Sequence, residues 1–276
     1  MPTERAPVPD FLYGTAWKED RTGALTQLAL RAGFRGIDTA NQRRHYFEEG
    51  VGQALTSAYR DGAVTRAELF LQTKFTYPRG QDHRLPYDPQ AKLSVQVAQS
   101  LRSSLEHLKT DYVDSYVLHG PSSAYEWTDA DAEVWDAMCK ARDAGLTRFL
   151  GVSNVSIEHV EQMTAQAEIP AFVQNRCDAM LGWDREVRSV CAKWSIRYQG
   201  FSLLTANREI LYHPLIQNLS AQAKVTPSQI VFRFAQEIGI LPLTGTSNAV
   251  HMKQDLESRA VKLSLEAVQA IESMAG

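Results

Sequence analysis

Short β-rich runs and amphipathic helical stretches alternate along this chain about eight times, and nothing in the sequence breaks the rhythm. Strands are predicted at residues 11–15, 36–38, 69–74, 112–118, 149–152, 171–174, 196–201 and 238–243. Helices are predicted between them, at 24–32, 49–59, 132–142, 185–194 and 226–237, with further helical material up to 223 and two short helices at the end. The longest helix is expected to use Asp88 as N-cap and Pro89 as its first residue. Its apolar stripe is Leu93, Val97, Leu101, Leu105 and Leu108, at spacings of four and three. Another helix opens near Ser156 with Glu158 in its first turn, where the helix dipole favours an acid. Thr226-Pro227-Ser228-Gln229 reads as a capping box.

Regular βα alternation leads to parallel strands covered by helices, either a closed barrel or a doubly wound open sheet. Two features favour the (β/α)8 TIM barrel. No Gly-x-Gly-x-x-Gly follows the first strand, and the polar candidates fall at the C-terminal ends of several different strands, where barrel active sites gather. With 276 residues and no break in composition, the whole chain, 1–276, is expected to be one barrel domain. A formal net charge of −3 without a basic block argues against nucleic acid or an anionic membrane as partner. No run approaches the roughly 18 apolar residues of a membrane helix. The polar, Pro-rich start lacks a secretory h-region. Cys139, Cys177 and Cys191 lack metal-ligand spacing and read as reduced structural thiols, so the expected setting is cytoplasmic.

Asp38, Lys74 and His119 end the second, third and fourth predicted strands. Singly, each has a plain alternative: Asp38 could cap a turn, Lys74 could snorkel at the rim, and His119 could be a satisfied polar residue. Together they can converge, because neighbouring parallel strands lie about 4.8 Å apart. Tyr46 lies in the loop after Asp38. These four types suit carbonyl reduction. Hydride delivery to a C=O creates an alkoxide that needs a proton, and a tyrosine of pKa near 10 holds one at neutral pH. A neighbouring ammonium is expected to lower that pKa, a carboxylate to hold the ammonium in place, and an imidazole to polarise the carbonyl oxygen. A metal-dependent barrel lyase or aldolase is a poorer fit, since only Asp38 and His119 sit as possible ligands.

The segments Gly36-Ile37-Asp38-Thr39-Ala40, Thr73-Lys74, Val117-Leu118-His119, Gly151-Val152-Ser153-Asn154 and Val173-Gln174-Asn175 resemble, in that order, the signature of the aldo-keto reductases. The resemblance runs from about Gly14 to about Asp255. It implies a barrel that binds NADP(H), with NAD(H) not excluded, and reduces a small carbonyl substrate. It also implies a catalytic group of Asp38, Tyr46, Lys74 and His119. In the family the tyrosine usually follows the aspartate by five residues, a position held here by Arg43. Counting back from Val51-Gly52 indicates a short insertion and selects Tyr46.

The resemblance further implies that Ser153, Asn154 and Gln174 hold the nicotinamide carboxamide and that Phe201 stacks on its ring. Ser202, Leu203 and Leu204 would meet the pyrophosphate, beside Thr15 and Ala16 of the first loop. Gly245, Thr246 and Ser247 would form the adenosine-phosphate site, where a helix start suits an anion. Many members carry a lysine where this chain has Gly245, an arginine at His251 and an asparagine at Asp255, so the grip on a 2′-phosphate differs here. Trp17, Phe75, Tyr77, Tyr125 and Trp127 are expected around the mouth, with Gly120 where many members have tryptophan. A reading from another class also fits: a nucleotide-sensing or regulatory subunit that keeps the barrel without rapid catalysis. Oligomeric state is not encoded in any of these features.

Overall fold

Eight parallel strands close on themselves in chain order, so the last pairs with the first. The structure, a computed structural model, describes residues 6–274. The strands are β1 Leu12–Gly14, β2 Gly36–Asp38, β3 Phe70–Phe75, β4 Val113–Leu118, β5 Thr147–Ser153, β6 Phe172–Arg176, β7 Arg197–Phe201 and β8 Leu241–Thr244. Around them run α1 Thr22–Ala32, α2 Glu48–Arg60, α3 Leu93–Leu108, α4 Asp129–Asp143, α5 Ile157–Gln166 and α6 Arg185–Lys193. The connection from β7 to β8 holds two helices, α7 Pro214–Ala223 and α8 Pro227–Glu237, and the chain ends with α9 Ala249–Glu257 and α10 Leu265–Glu272. No helix among the described residues is long and apolar enough to cross a membrane.

The two-residue period of a strand sorts side chains into two environments. On β3, Leu71, Thr73 and Phe75 face the helices: the Thr73 hydroxyl donates to Glu48 of α2 at 2.5 Å, and Phe75 packs against Tyr87. Phe70, Gln72 and Lys74 face the barrel interior. There Phe70, Phe149 and Phe172 pack edge to face at the lower end, with Leu12, Leu241 and Leu243. Above them lies a polar layer. The Gln72 and Gln174 amides both donate to Gln199 Oε1 at 2.8 Å, and Gln199 donates back to Gln72 at 3.0 Å. Buried amides must find partners, and these three find one another.

The outer core obeys the helical pattern. Val97, Leu101 and Leu108 of α3 are buried against the sheet, while Leu93 and Leu105 flank them. Each such side chain contributes about 1.5–3 kcal/mol by leaving water. Gly52 of α2 explains its place in the pattern: a Cβ there would collide with the His107 carbonyl of α3. Ser156 caps α5 and the Thr226–Gln229 capping box opens α8, as expected. The start of α3 is different. It begins at Leu93 after Lys92, and Asp88 instead closes a local turn, accepting from the Gln90 N–H at 2.9 Å. An Asp-Pro pair signals such a turn as readily as a helix start, and the sequence alone does not separate the two.

Candidate active site

The interior faces of β2, β3 and β4 lift three ionisable groups to the mouth. Asp38 ends β2, Lys74 lies one residue from the end of β3, and His119 follows β4, its N–H still bonded to the Phe75 carbonyl at 2.8 Å. Lys74 is fully buried. Its ammonium donates to both oxygens of Asp38, at 2.7 and 2.8 Å, and to the Thr39 carbonyl at 2.9 Å. The polar layer beneath completes the carboxylate: Gln72 donates to Asp38 Oδ1 at 2.7 Å and Gln174 at 3.1 Å. Burial pulls the Lys74 ammonium below its usual pKa, and the Asp38 charge, with a smaller share from Glu48, pulls it back up.

Tyr46 reaches this group from the β2–α2 loop. The Gln42 carbonyl accepts both the His45 and Tyr46 N–H groups, at 3.1 and 3.0 Å, which makes a compact turn of the inserted residues. The Gln42 side chain ties that turn to the Gly80 carbonyl at 2.6 Å. The Tyr46 ring centre then lies 5.2 Å from Lys74 Nζ and 5.8 Å from the His119 ring. Arg43, which stands at the usual family spacing, turns outward over the Phe47 ring at 4.4 Å and is not part of the cavity wall. The Tyr46 hydroxyl has no hydrogen-bond partner among the described residues, so it is available to a substrate oxygen.

The electrostatics differ from the expectation in one respect. The Tyr46 phenol is shifted up, not down, first by burial and then by the Asp38 charge. Lys74 donates to both oxygens of Asp38, so the phenol faces an ion pair rather than a lone ammonium. Tyr46 therefore keeps its proton across the neutral range. His119 is pushed down to about 3 by burial, then by Lys74 and His45, and stays a neutral imidazole. Its Nδ1 lies 2.7 Å from the Thr76 hydroxyl. A hydroxyl that donates to Nδ1 leaves the proton on Nε2, and a neutral imidazole can then donate to a carbonyl oxygen. Thr76→Val removes that donor. We expect a fall in kcat of about tenfold, the worth of one hydrogen bond of about 1.5 kcal/mol, with recovery in Thr76→Ser. In ¹⁵N spectra, wild-type His119 should remain the neutral Nε2–H form from pH 5 to 8. Titration of His119 near pH 6.5 would refute the assignment.

These groups line one end of a cavity of about 830 Å³, within the roughly 300–1,000 Å³ of ligand pockets. Asp38, Tyr46 and His119 are in its wall, with Lys74 just beneath. Of the expected cofactor residues, Ala16, Ser153, Asn154 and Gln174 line it, followed by Phe201 to Leu204 and then by Gly245 and Thr246. Several of their polar atoms are already engaged. The Ser153 hydroxyl donates to the Gln174 carbonyl at 2.6 Å, and the Asn154 amide to the His119 carbonyl at 2.7 Å. Asn154 adopts φ +55°, a left-handed conformation that asparagine tolerates better than most residues. Phe201 packs one side against the interior apolar cluster while lining the cavity.

Four expected cofactor residues lie elsewhere. Thr15 is buried and donates to the Asp38 carbonyl at 3.0 Å, tying β1 to β2. Ser247 and His251 are exposed outside the cavity wall. Asp255 is buried beneath the loop, accepting from the Thr244 hydroxyl at 2.8 Å, and burial pushes its carboxyl up to about 7. Among the aromatics, Trp17 and Tyr77 line the mouth, whereas Phe75 and Trp127 are core residues and Tyr125 is exposed away from it. The sequence reading missed Thr76, Gln72, Gln199, Lys18, Arg79 and Arg176. Gln72 and Gln199 carried a usable signal: each sits two residues before a mouth residue on its strand, so the two-residue period turns it inward.

The residues present suit a dinucleotide. The cavity extends from Tyr46 and His119 to Thr246 and offers an aromatic wall at Phe201. At the Thr246 end the β8 loop meets the β1 loop, where the Lys18 ammonium donates to the Gly245 carbonyl.

Comparison with known proteins agrees with this geometry. The chain is 28% identical to human "Aldo-keto reductase family 1 member C1" over 278 aligned positions, covering 90% of this chain and 81% of that protein. It is 29% identical to an aldo-keto reductase of Mycobacterium ulcerans (strain Agy99), covering 93% and 83%. Among solved structures, an aldo/keto reductase from Brucella melitensis superposes with a TM-score of 0.81 at 24% identity, over 97% of this chain and 94% of its own. A Bombyx mori aldo-keto reductase, solved in complex with NADP, gives 0.82 at 24% identity, over 98% and 93%. The model of the Aldo/keto reductase family matches residues 13–275, and the chain belongs to that family, with NAD(P)H-dependent carbonyl reduction as its reaction class.

Proposed function

We propose that this chain reduces a small aldehyde or ketone to the alcohol with NADPH as its reductant and Tyr46 as the acid. The observation that carries the reading is the convergence, from four separate stretches of chain, of Tyr46, Lys74, Asp38 and His119 at one end of a cavity long enough for a dinucleotide. A bound nicotinamide supplies hydride to the carbonyl carbon. His119, neutral and held by Thr76, directs Nε2–H at the carbonyl oxygen and fixes its position. Tyr46 passes its phenolic proton to that oxygen, leaving a tyrosinate that solvent reprotonates. The Lys74–Asp38 pair lies 5.2 Å below the ring and limits the cost of that transient negative charge. Trp17, stacked on His45 with ring centres 3.8 Å apart, walls the substrate end.

The free thiols, with Cys177 and Cys191 buried, support a reducing, cytoplasmic setting. A titration of the tryptophan fluorescence with NADPH and with NADH, followed by turnover of an aldehyde panel, tests the proposal. Saturable binding of NADPH, tighter than NADH, with reduction of at least one aldehyde is expected. A chain that binds NADPH and reduces nothing would be a nucleotide sensor, and one that binds neither nucleotide would end the reading.

A further inference from the structure

The expected cations of the phosphate site are missing from this chain: position 245 is glycine, and position 251 is an exposed histidine outside the cavity wall. The cavity nonetheless carries positive charge, from Lys18, Arg79 and Arg176. The three are not equivalent. The Lys18 ammonium donates to the Gly245 carbonyl, and both terminal nitrogens of Arg79 donate to the carbonyls of Pro121 and Ser122. Arg176 is exposed, and its guanidinium has no hydrogen bond or ion pair among the described residues.

Its place on the strand follows from β6 itself. Phe172 packs in the interior cluster, Gln174 reaches Asp38, and the two-residue period brings Arg176 to the same face one step higher, at the mouth. In the parallel register Arg176 stands opposite Phe201. After Phe201 the backbone turns through Ser202, whose φ is +59°, and Ser202 to Thr205 also line the cavity. An unpaired guanidinium beside a sharply turned backbone offers charge and N–H donors to the same anion.

We propose that Arg176 binds the pyrophosphate of the dinucleotide, a role that rests on the reading of this cavity as a nicotinamide cofactor site. The pyrophosphate is common to NADPH and NADH, whereas the 2′-phosphate belongs to NADPH alone, so the assignment has a signature. In calorimetric titrations of the full chain, Arg176→Met should weaken NADPH and NADH by the same factor, between about tenfold and about a hundredfold for a charge-assisted contact. Arg176→Lys should recover part of the loss. Adenosine 2′-monophosphate, which has no pyrophosphate, should bind wild type and Arg176→Met alike, which also reports that the variant is folded. Unchanged dissociation constants would overturn the proposal, as would a loss confined to NADPH or one confined to the KM of the carbonyl substrate. If wild type itself binds neither dinucleotide, the cofactor reading fails first, an outcome distinct from failure of Arg176 alone.

Discussion

Tyr46→Phe is expected to lower kcat for carbonyl reduction by about 10²–10⁴-fold, the usual worth of a positioned general acid, while nucleotide affinity stays nearly unchanged. The substitution removes one oxygen and keeps the ring, so the edge contact with His119 at 5.8 Å and the position over Lys74 persist. Among the described residues the hydroxyl has no partner to orphan, and the fold should not notice its loss. Steady-state kinetics beside a fluorescence titration of NADPH measures both quantities on one preparation. Arg43→Ala is the matched control, because Arg43 holds the family's usual spacing yet packs outside the cavity over Phe47. Near wild-type turnover is expected from it. Equal rates for Tyr46→Phe and wild type would remove Tyr46 from the mechanism.

Lys74→Met should cost both stability and activity, for separable reasons. Asp38 would retain the Gln72 and Gln174 amides, at 2.7 and 3.1 Å, but lose the one cation among the described residues in contact with it. A buried charge left without its partner typically destabilises by about 3–5 kcal/mol, to be read from urea unfolding. Activity should fall by about 10²-fold or more, since the tyrosinate formed at each turnover loses its supporting charge. The double variant Lys74→Met with Asp38→Asn removes both charges and leaves a neutral amide among the glutamines. It should recover much of the stability and none of the activity, a coupling that a double-mutant cycle isolates. Recovery of turnover along with stability would make the pair a structural brace only.

That Asp38, Lys74 and His119 would meet was legible because each strand end announces itself: β-rich residues stop and a charged residue follows. The tyrosine needed more. Its loop carries inserted residues: the spacing from Asp38 falls on Arg43, and only the count back from Val51-Gly52 selects Tyr46; the Gln42 turn and its tie to Gly80 set Tyr46, not Arg43, at the mouth. The lining of the cavity was legible in part. Motif positions such as Ser153, Gln174 and Phe201 line the cavity, while Thr15 and Asp255 turned to bonds with Asp38 and Thr244. Nor could a motif show that the tyrosine's proton is held by burial, since desolvation depends on everything that packs around the ring.

The sequence by itself determined the strand and helix order, the closure into parallel βα units and the identity of the groups at the strand ends. Those properties follow from local periodicity and chain connectivity. Only the tertiary structure decided which way the inserted loop presents its residues, that Gln72 and Gln174, joined through Gln199, brace Asp38 from below, and that Arg176 stands at the mouth without a partner among the described residues. Such facts depend on distances between strands far apart in the chain, and those distances are set by barrel closure and packing.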